Sequence, residues 1–177
     1  MILVISGSSR KKSNNRGFAK YIFEQLEKKG ENVAYFDLFE NPLPIYSDDI
    51  NLYKNENVEK LYNLAYDADG FYICTPEYHN GMSGALKNAL DFLNKDQFIH
   101  KPIAISSAAG SGKGGVNALN NLRLVLRGLH GIVLPRQHIS DKISFENNIL
   151  VSGQCKESIN QIIDDLILES NIRMAYS

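Results

Sequence analysis

Short apolar runs alternate with segments of helical periodicity along the whole chain of 177 residues. The apolar runs predict strands at 2–6, 32–38, 70–75, 102–108 and 131–139. Segments with apolar residues at helical spacing follow them, at 16–29, 58–65, 84–94, 116–130 and 156–172. Such alternation is typical of a parallel sheet with helices on both faces. Because no repeat or linker divides the sequence, we expect one doubly wound α/β domain over residues 1–177.

Local signals refine two of these elements. Ser83 stands directly before the helix 84–94 and is a suitable N-cap. Pro135 lies inside the predicted strand 131–139. Since proline cannot donate to a neighbouring strand, this strand is expected at the edge of the sheet.

Composition excludes several classes of partner and location. The net charge is -1, whereas nucleic acids and anionic membranes require a basic excess. No apolar run approaches the length of about 18 residues that spans a bilayer, and the chain opens on a strand without a basic leader. Cys74 and Cys155 form no CxxC motif, which favours a reducing cytoplasm, with Cys74 as a buried and inert thiol.

Three loops of unusual composition leave the carboxyl ends of predicted strands, at 7–15, 75–83 and 107–115. In doubly wound sheets, ligands bind beyond those ends, where the strand order reverses. The three loops are therefore expected to meet and to form a ligand site.

The composition of the three loops indicates which ligand they could hold. Loop 7–15 offers hydroxyls, amides, Arg10 and Lys12 just before a helix N-terminus, which suits a phosphate monoester, although a solvated turn is the alternative. It does not have the GxxxxGK[ST] pattern of nucleotide hydrolases. Loop 107–115 satisfies GxGxxG, but it is not followed by the carboxylate that binds a dinucleotide ribose. Loop 75–83 adds flat aromatic and polar side chains, for which a surface charge and a lid over the core are the alternative interpretation. A phosphate site beside such a loop fits flavin mononucleotide, FMN, which has one terminal phosphate and one large ring, better than a dinucleotide.

The same loops resemble those of a known family. The stretch "GSSRKKSNN" (7–15) fits the G-S-x-R-x-x-S-x-N phosphate loop of the NADPH-dependent FMN reductase family. The stretch "PEYHNGMSGALKNALDFL" (76–93) resembles its P-E-Y-N…G-x-L-K-N-A-[IL]-D-[WF] motif, with His79 where many members have Asn. The stretch "AAGSGKGGVNALNNLRLVLRG" (108–128) is similar to the third flavin loop of the bacterial FMN-dependent azoreductase branch. The resemblance covers about residues 1 to 138.

The resemblance implies a flavodoxin-like five-stranded sheet of order 2-1-3-4-5 and a tightly but non-covalently bound FMN. It implies a phosphate site formed by Ser8, Arg10, Ser13 and Asn15. It implies that one side of the isoalloxazine ring is lined by Pro76, Glu77, Tyr78 and His79. It implies that the other side is bordered by the stretch from Ser107 to Gly110, which includes Ala108. Members are commonly dimers or dimers of dimers.

The sequence assigns no catalytic residue and no metal ligand. No Ser–His–Asp arrangement is recognisable, and the four histidines lack metal-ligand spacing. This is expected if the flavin carries the chemistry, taking a hydride from NADPH or NADH and passing two electrons to an azo compound, a quinone or free flavin in ping-pong turnover. The alternatives are a flavodoxin-type electron carrier or a flavin-binding regulatory protein. The nearly neutral charge and the absence of a Thr-rich phosphate loop favour the reductase over the carrier.

Two helices are also expected to form a subunit interface. On the helix 116–130, Val116, Leu119, Leu122 and Leu126 are assigned to the core, and Val125 and Leu129 extend the apolar surface beyond it. On the helix 84–94, Phe92 lies off the strip formed by Leu86, Leu90 and Leu93. Apolar surface beside amides suits an interface, so a homodimer or homotetramer is predicted, unless the sheet of the same chain covers both helices.

Overall fold

A computed structural model describes residues 1–108 and 114–175. Its strands are β1 (Ile2–Ser6), β2 (Val33–Asp37), β3 (Gly70–Thr75), β4 (Glu77–Tyr78), β5 (Gly81–Met82), β6 (Pro102–Ala108), β7 (Ile132–Ser140), β8 (Phe145–Glu146) and β9 (Ile149–Leu150). Its α-helices are α1 (Asn14–Lys28), α2 (Glu56–Asp67), α3 (Gly84–Asp91), α4 (Lys95–Phe98), α5 (Val116–Gly128) and α6 (Gly153–Ala175). Short 3-10 helices lie at Ile50–Lys54 and Lys142–Ser144.

Five strands form one parallel sheet in the order β2-β1-β3-β6-β7. Because β6 and β7 are the fourth and fifth long strands along the chain, this order confirms the predicted 2-1-3-4-5 arrangement. The strand order reverses between β1 and β3, which places a crevice beyond the carboxyl ends of these two strands.

Two apolar cores cover the two faces of the sheet. Alternate residues of β1 divide between them: Leu3 and Ile5 face the core beneath α2, α3 and α5, whereas Ile2 and Val4 face the core beneath α1 and α6. Burial on both faces explains why the central strands are continuous apolar runs. Cys74 of β3 is fully buried, and burial raises the pKa of its thiol, so it is an inert core residue as predicted.

The strand β7 lies at the edge of the sheet, as Pro135 indicates. The register between β6 and β7 shifts between Ile103 and Ile105, which pair with Val133 and Gln137. Pro135 falls within the irregular stretch. A residue without an N–H group is tolerated there because the bulge removes the need for a ladder bond.

Two of the predicted side-chain positions are wrong. Val116 is 48% exposed because α5 begins at this residue, and the buried strip starts one turn later. Phe92 is only 1% exposed. It lies past the last residue of α3, where helical spacing no longer applies, and it packs edge-on against Tyr46 and Tyr53.

Within residues 1–108 and 114–175, no helix is long and apolar enough to cross a membrane.

Candidate functional site

The loops after β1 and β3 are tied together at the carboxyl edge of the sheet. The N–H of Gly7 donates to the carbonyl oxygen of Cys74 at 2.8 Å, and the hydroxyl of Ser83 donates to the carbonyl oxygen of Gly7. A Cβ on Gly7 would lie 2.6 Å from the oxygen of Cys74. Only glycine therefore allows this close approach of the two loops.

A pocket of about 510 Å³ opens between these loops. Its walls are formed by Arg10, Lys12, Ser13, Asn14, Asn15, Pro76, Glu77, Tyr78, Ala108, Lys142 and Asn148. The structure thus brings residues of the two loops together with the end of β6.

The N-terminus of α1 is one side of this pocket. The helix begins at Asn14, and the carbonyl oxygen of Ser13 accepts from the N–H groups of Arg16 and Gly17. The side chain of Ser13 does not cap the helix within the described chain, so its hydroxyl is available on the pocket wall. The first N–H groups of a helix lack intrahelical acceptors and favour an anion.

Arg10 and Ser8 differ in their relation to the pocket. Arg10 is exposed on the pocket rim. Ser8 is fully buried, and its hydroxyl oxygen accepts from the backbone N–H of Arg10 at 3.3 Å. Ser8 therefore shapes the loop that presents Arg10, and it does not line the pocket itself.

Asn15 presents an unused acceptor. The side chain is 1% exposed, and its Nδ2 donates to the carbonyl oxygen of Cys74 at 3.3 Å. Its Oδ1 has no partner among the described residues, and the bond to Cys74 fixes the amide orientation. A phosphate oxygen is also an acceptor and so cannot bond to Oδ1, whereas a ligand hydroxyl can donate to it. FMN carries such hydroxyls on its ribityl chain. The residues present therefore fit FMN, with a phosphate end and a hydroxyl acceptor deeper in the pocket.

The antiparallel pair β4 and β5 forms the opposite side. Pro76, Glu77 and Tyr78 line the pocket. His79 and Asn80 form the exposed turn, with φ angles of 50° and 64°. His79 does not line the pocket, so its contribution is the left-handed backbone of the turn. Asparagine adopts this conformation more readily than most residues, which is consistent with an Asn–His exchange at this position.

Glu77 also holds the pocket against α5. Its Oε2 accepts from the backbone N–H of Ala118 at 3.0 Å. The N-cap of α5 is Gly115, which has no side chain to fill that role. A carboxylate at a helix N-terminus is favourable, and Asn117 adds a bond from its Nδ2 to the Oδ1 of Asn80 at 3.3 Å.

The end of β6 supplies Ala108 to the pocket wall. Ser107 points to the other face of the sheet and is fully buried, and its Oγ has no partner among the described residues. Gly115, at φ 109°, lies against it: a Cβ there would be 3.1 Å from this Oγ. Gly110 lies outside the described residues.

Sequence reasoning missed two residues of the wall, Lys142 and Asn148. Both come from the segment between β7 and α6. The pair Asn147–Asn148 between two short apolar stretches is a turn signal, but nothing in the sequence indicates that this turn reaches α1. Among the residues that the structure describes, the pocket rim carries the basic side chains of Arg10, Lys12 and Lys142 against the carboxylate of Glu77.

The described part of the chain contains no group of three or more His, Cys, Asp or Glu residues placed to hold a metal ion. His138 is half-buried, with Nδ1 2.9 Å from Ser158 Oγ and Nε2 3.1 Å from Ser140 Oγ. Burial lowers the pKa of this imidazole. It is a hydrogen-bonded structural histidine, as its spacing in the sequence suggests.

A sequence model of NADPH-dependent FMN reductase matches residues 1–144. The chain belongs to the NADPH-dependent FMN reductase family. This confirms the resemblance noted above, and with it an oxidoreductase that works with FMN and NADPH.

Relatives in sequence are azoreductases. The NADPH azoreductase of Bacillus sp. (strain OY1-2) is 41% identical over 174 residues, covering 98% of this chain and 92% of the relative. The FMN-dependent NADPH-azoreductase of Staphylococcus saprophyticus is 36% identical over 151 residues, covering 81% of this chain and 78% of the relative.

Among solved structures, the NAD(P)H:acceptor oxidoreductase FerB from Paracoccus denitrificans superposes with a TM-score of 0.80 at 21% identity, covering 96% of each chain. The apo form of the NADH:FMN oxidoreductase EMOB gives a TM-score of 0.80 at 20% identity, covering 94% of this chain and 88% of the other. These likenesses confirm the flavodoxin-like fold.

Proposed function

We propose that this protein is an FMN-dependent NAD(P)H oxidoreductase that transfers two electrons to a small acceptor such as an azo compound, a quinone or free flavin. The observation that carries the proposal is the pocket at the β1–β3 switch point, which joins a cationic helix N-terminus to the unused acceptor Asn15 Oδ1. The azoreductase names of the relatives support an azo acceptor.

Each wall of the pocket has a distinct task in this proposal. Arg10, Ser13 and the first N–H groups of α1 hold the phosphate, and Ser8 positions the loop that carries Arg10. Asn15 accepts from a ribityl hydroxyl. One side of the ring is bordered by Pro76, Glu77, Tyr78 and the backbone of His79, and the other by Ala108, Gly110 and the backbone of Ser107.

The side chains of the pocket bind and orient; none is assigned a covalent or acid–base role. When bound, FMN would supply the redox chemistry, a two-electron transfer between the nicotinamide and the acceptor. Glu77, the carboxylate among the described pocket residues, is engaged with the N–H of Ala118. This bond ties the pocket wall to the start of α5, which indicates a structural role.

Anaerobic stopped-flow mixing with NADPH tests the proposal. The purified protein should be yellow and contain about one FMN per chain, and NADPH should bleach the bound flavin rapidly without a partner protein. A quinone or an azo dye should then restore the oxidised spectrum, and double-reciprocal plots at several acceptor concentrations should be parallel. A colourless protein that takes up no FMN at micromolar concentration refutes the proposal.

Assembly and location are further parts of the proposal. We infer one domain over residues 1–177 that forms a homodimer or homotetramer in the cytoplasm. Exposed apolar side chains on α5, Val116 and Leu124, support a subunit interface. Cys74 and Cys155 are both free, which suits a reducing compartment, and the net charge of -1 supports small molecules rather than nucleic acid or membrane as partners.

A further inference from the structure

The segment after β7 folds back over the N-terminus of α1. The 3-10 helix Lys142–Ser144 leads into the hairpin of β8 and β9, which the family match, ending at residue 144, does not include. Phe145 anchors this hairpin in the core, with its ring centroid 6.1 Å from that of Phe18. The turn is made by Asn147 and Asn148 at φ 49° and 65°, and asparagine favours such two-residue turns.

Asn148 fixes the hairpin against α1 at two points. Its Nδ2 donates to Asn14 Oδ1 at 2.7 Å. Its carbonyl oxygen lies so close to Gly17 that a Cβ on this residue would be 1.7 Å away. The position of Asn148 at the first turn of α1 is therefore set by a side-chain bond and by backbone packing.

Asn148 belongs to the walls of two pockets. Together with Ser13 it lines the candidate flavin pocket and also a second pocket of about 500 Å³ on the outer side of α1. The second pocket contains the aromatic rings of Phe23 and Tyr35 and the basic side chain of Lys20. It also contains Asp37 and Glu40, whose carboxylates are paired with Arg16. Aromatic rings beside a cation suit the base and phosphate of a nucleotide.

This arrangement bears on the choice between two flavins. FMN ends at its phosphate, whereas flavin adenine dinucleotide, FAD, continues through a second phosphate to adenosine. A dinucleotide bound in the first pocket would have to pass Asn148 to place its adenosine in the second. Lys142, on the rim with Arg10 and Lys12, favours the dianionic end of a monoester, because each phosphate within FAD carries only one charge.

We propose that Lys142 and Asn148 determine cofactor specificity, closing the phosphate end of the pocket so that it accepts FMN and excludes FAD. This inference rests on the proposed FMN site. It assigns a role in binding to the segment 142–148, of which residues 145–148 lie beyond the family match.

Titration of the apoprotein with FMN, FAD and riboflavin tests the role of Lys142, with quenching of flavin fluorescence as the readout. Lys142→Gln should weaken FMN binding about 10-fold, the effect of losing one charge-assisted contact. Riboflavin lacks the phosphate, so its affinity should not change. The matched control is Lys28→Gln, which removes the same charge from the last turn of α1 and should leave all three affinities unchanged.

Asn148→Gly tests the separation of the pockets. Glycine keeps the left-handed turn but removes the bond to Asn14, so the ratio of FAD to FMN affinity should rise about 10-fold. Asn147→Gly is the companion variant, since it alters the same turn and the wall of the second pocket but keeps the bond to Asn14. Its ratio should stay well below that of Asn148→Gly.

Different results of these titrations overturn different parts of the proposal. Equal FMN and FAD affinities in the wild type, or an unchanged ratio in Asn148→Gly, overturn the specificity role while leaving the FMN site intact. A loss of FMN and riboflavin affinity of the same size in Lys142→Gln overturns the phosphate contact of Lys142. A wild-type apoprotein that binds none of the three flavins refutes the proposed function together with this inference.

Discussion

Glu77 accepts a hydrogen bond from the backbone N–H of Ala118 and thereby joins a pocket wall to the start of α5. The two residues are separated by 41 positions in the chain. The helix has Gly115 as its N-cap, so the carboxylate from another loop takes the place of a capping side chain. The conformation of the pocket and the stability of α5 are therefore coupled.

Replacing Glu77 by alanine should lower the free energy of unfolding by about 1 kcal/mol, the usual cost of losing a helix cap. Urea denaturation of the apoprotein measures this change. Glu27→Ala, at an exposed position of α1, is the control and should stay within about 0.5 kcal/mol of the wild type. An equal stability of the Glu77 variant and the wild type would show that the bond contributes nothing.

Arg10→Ala should weaken FMN binding while sparing riboflavin. A charge-assisted contact to phosphate is worth roughly 1.5–3 kcal/mol, or about 10- to 150-fold in affinity. Titration of the apoprotein with both flavins measures the loss of affinity for each. The loss of FMN affinity should be smaller at high salt, because salt screens the contact between the charges. If the FMN constant does not change, Arg10 is a solvated residue of the turn.

Asn15→Ala should weaken FMN and riboflavin to the same extent, because both carry the ribityl chain. The loss of one neutral hydrogen bond predicts about 2- to 10-fold. The same titrations distinguish this pattern from that of Arg10→Ala. A variant that loses FMN affinity but keeps riboflavin affinity would place Asn15 on the phosphate, as the family resemblance implies.

The parallel sheet was predictable because its central strands β1, β3 and β6 are apolar runs bounded by turn residues, which is the pattern of burial on both faces. The strand order, in contrast, was implied by the family resemblance. The loop residues Arg10, Ser13, Asn15, Pro76, Glu77 and Tyr78 were placed at the pocket for a related reason. They directly follow β1 and β3, and parallel strands bring their carboxyl ends to one edge.

Other features depend on contacts that sequence spacing does not encode. Lys142 and Asn148 reach the pocket because the hairpin after β7 packs on Gly17 of α1, a contact between residues far apart in the chain. The unused Oδ1 of Asn15 depends on where its Nδ2 binds. Phe92 was misplaced because helical periodicity was extended one residue past the end of α3.

His138 should make the protein less stable in mild acid. Its pKa in the folded state lies below the ordinary value of 6.5 because the ring is partly buried. As the pH falls below 6.5, the unfolded chain therefore takes up the proton first, and the free energy of unfolding decreases. The free energy of unfolding should change by less than about 1.4 kcal/mol per pH unit, and partial exposure of the ring reduces this change further.

Chemical denaturation at pH 7.5 and 5.5 measures this effect. His138→Gln removes the titrating group, so the difference in stability between the two pH values should be smaller than in the wild type. His130→Asn is the control, because this histidine is exposed and asparagine tolerates its φ of 65°. An identical pH dependence in His138→Gln and the wild type contradicts the assignment.

The exposed apolar residues of α5 should lie in a subunit interface. Leu124 is 61% exposed and Val116 48%, and a monomer would leave both in water. Light scattering of the FMN-loaded protein at low micromolar concentration should give two or four times the chain mass of 19.8 kDa. Leu124→Glu places a charge on this surface and should lower the mass, because an unpaired charge is costly in an interface. Leu168→Glu, on α6 and 58% exposed, is the matched control and should keep the assembly.

A wild-type protein that has the mass of one chain with FMN bound refutes the interface. A loss of assembly in Leu168→Glu alone would place the interface on α6.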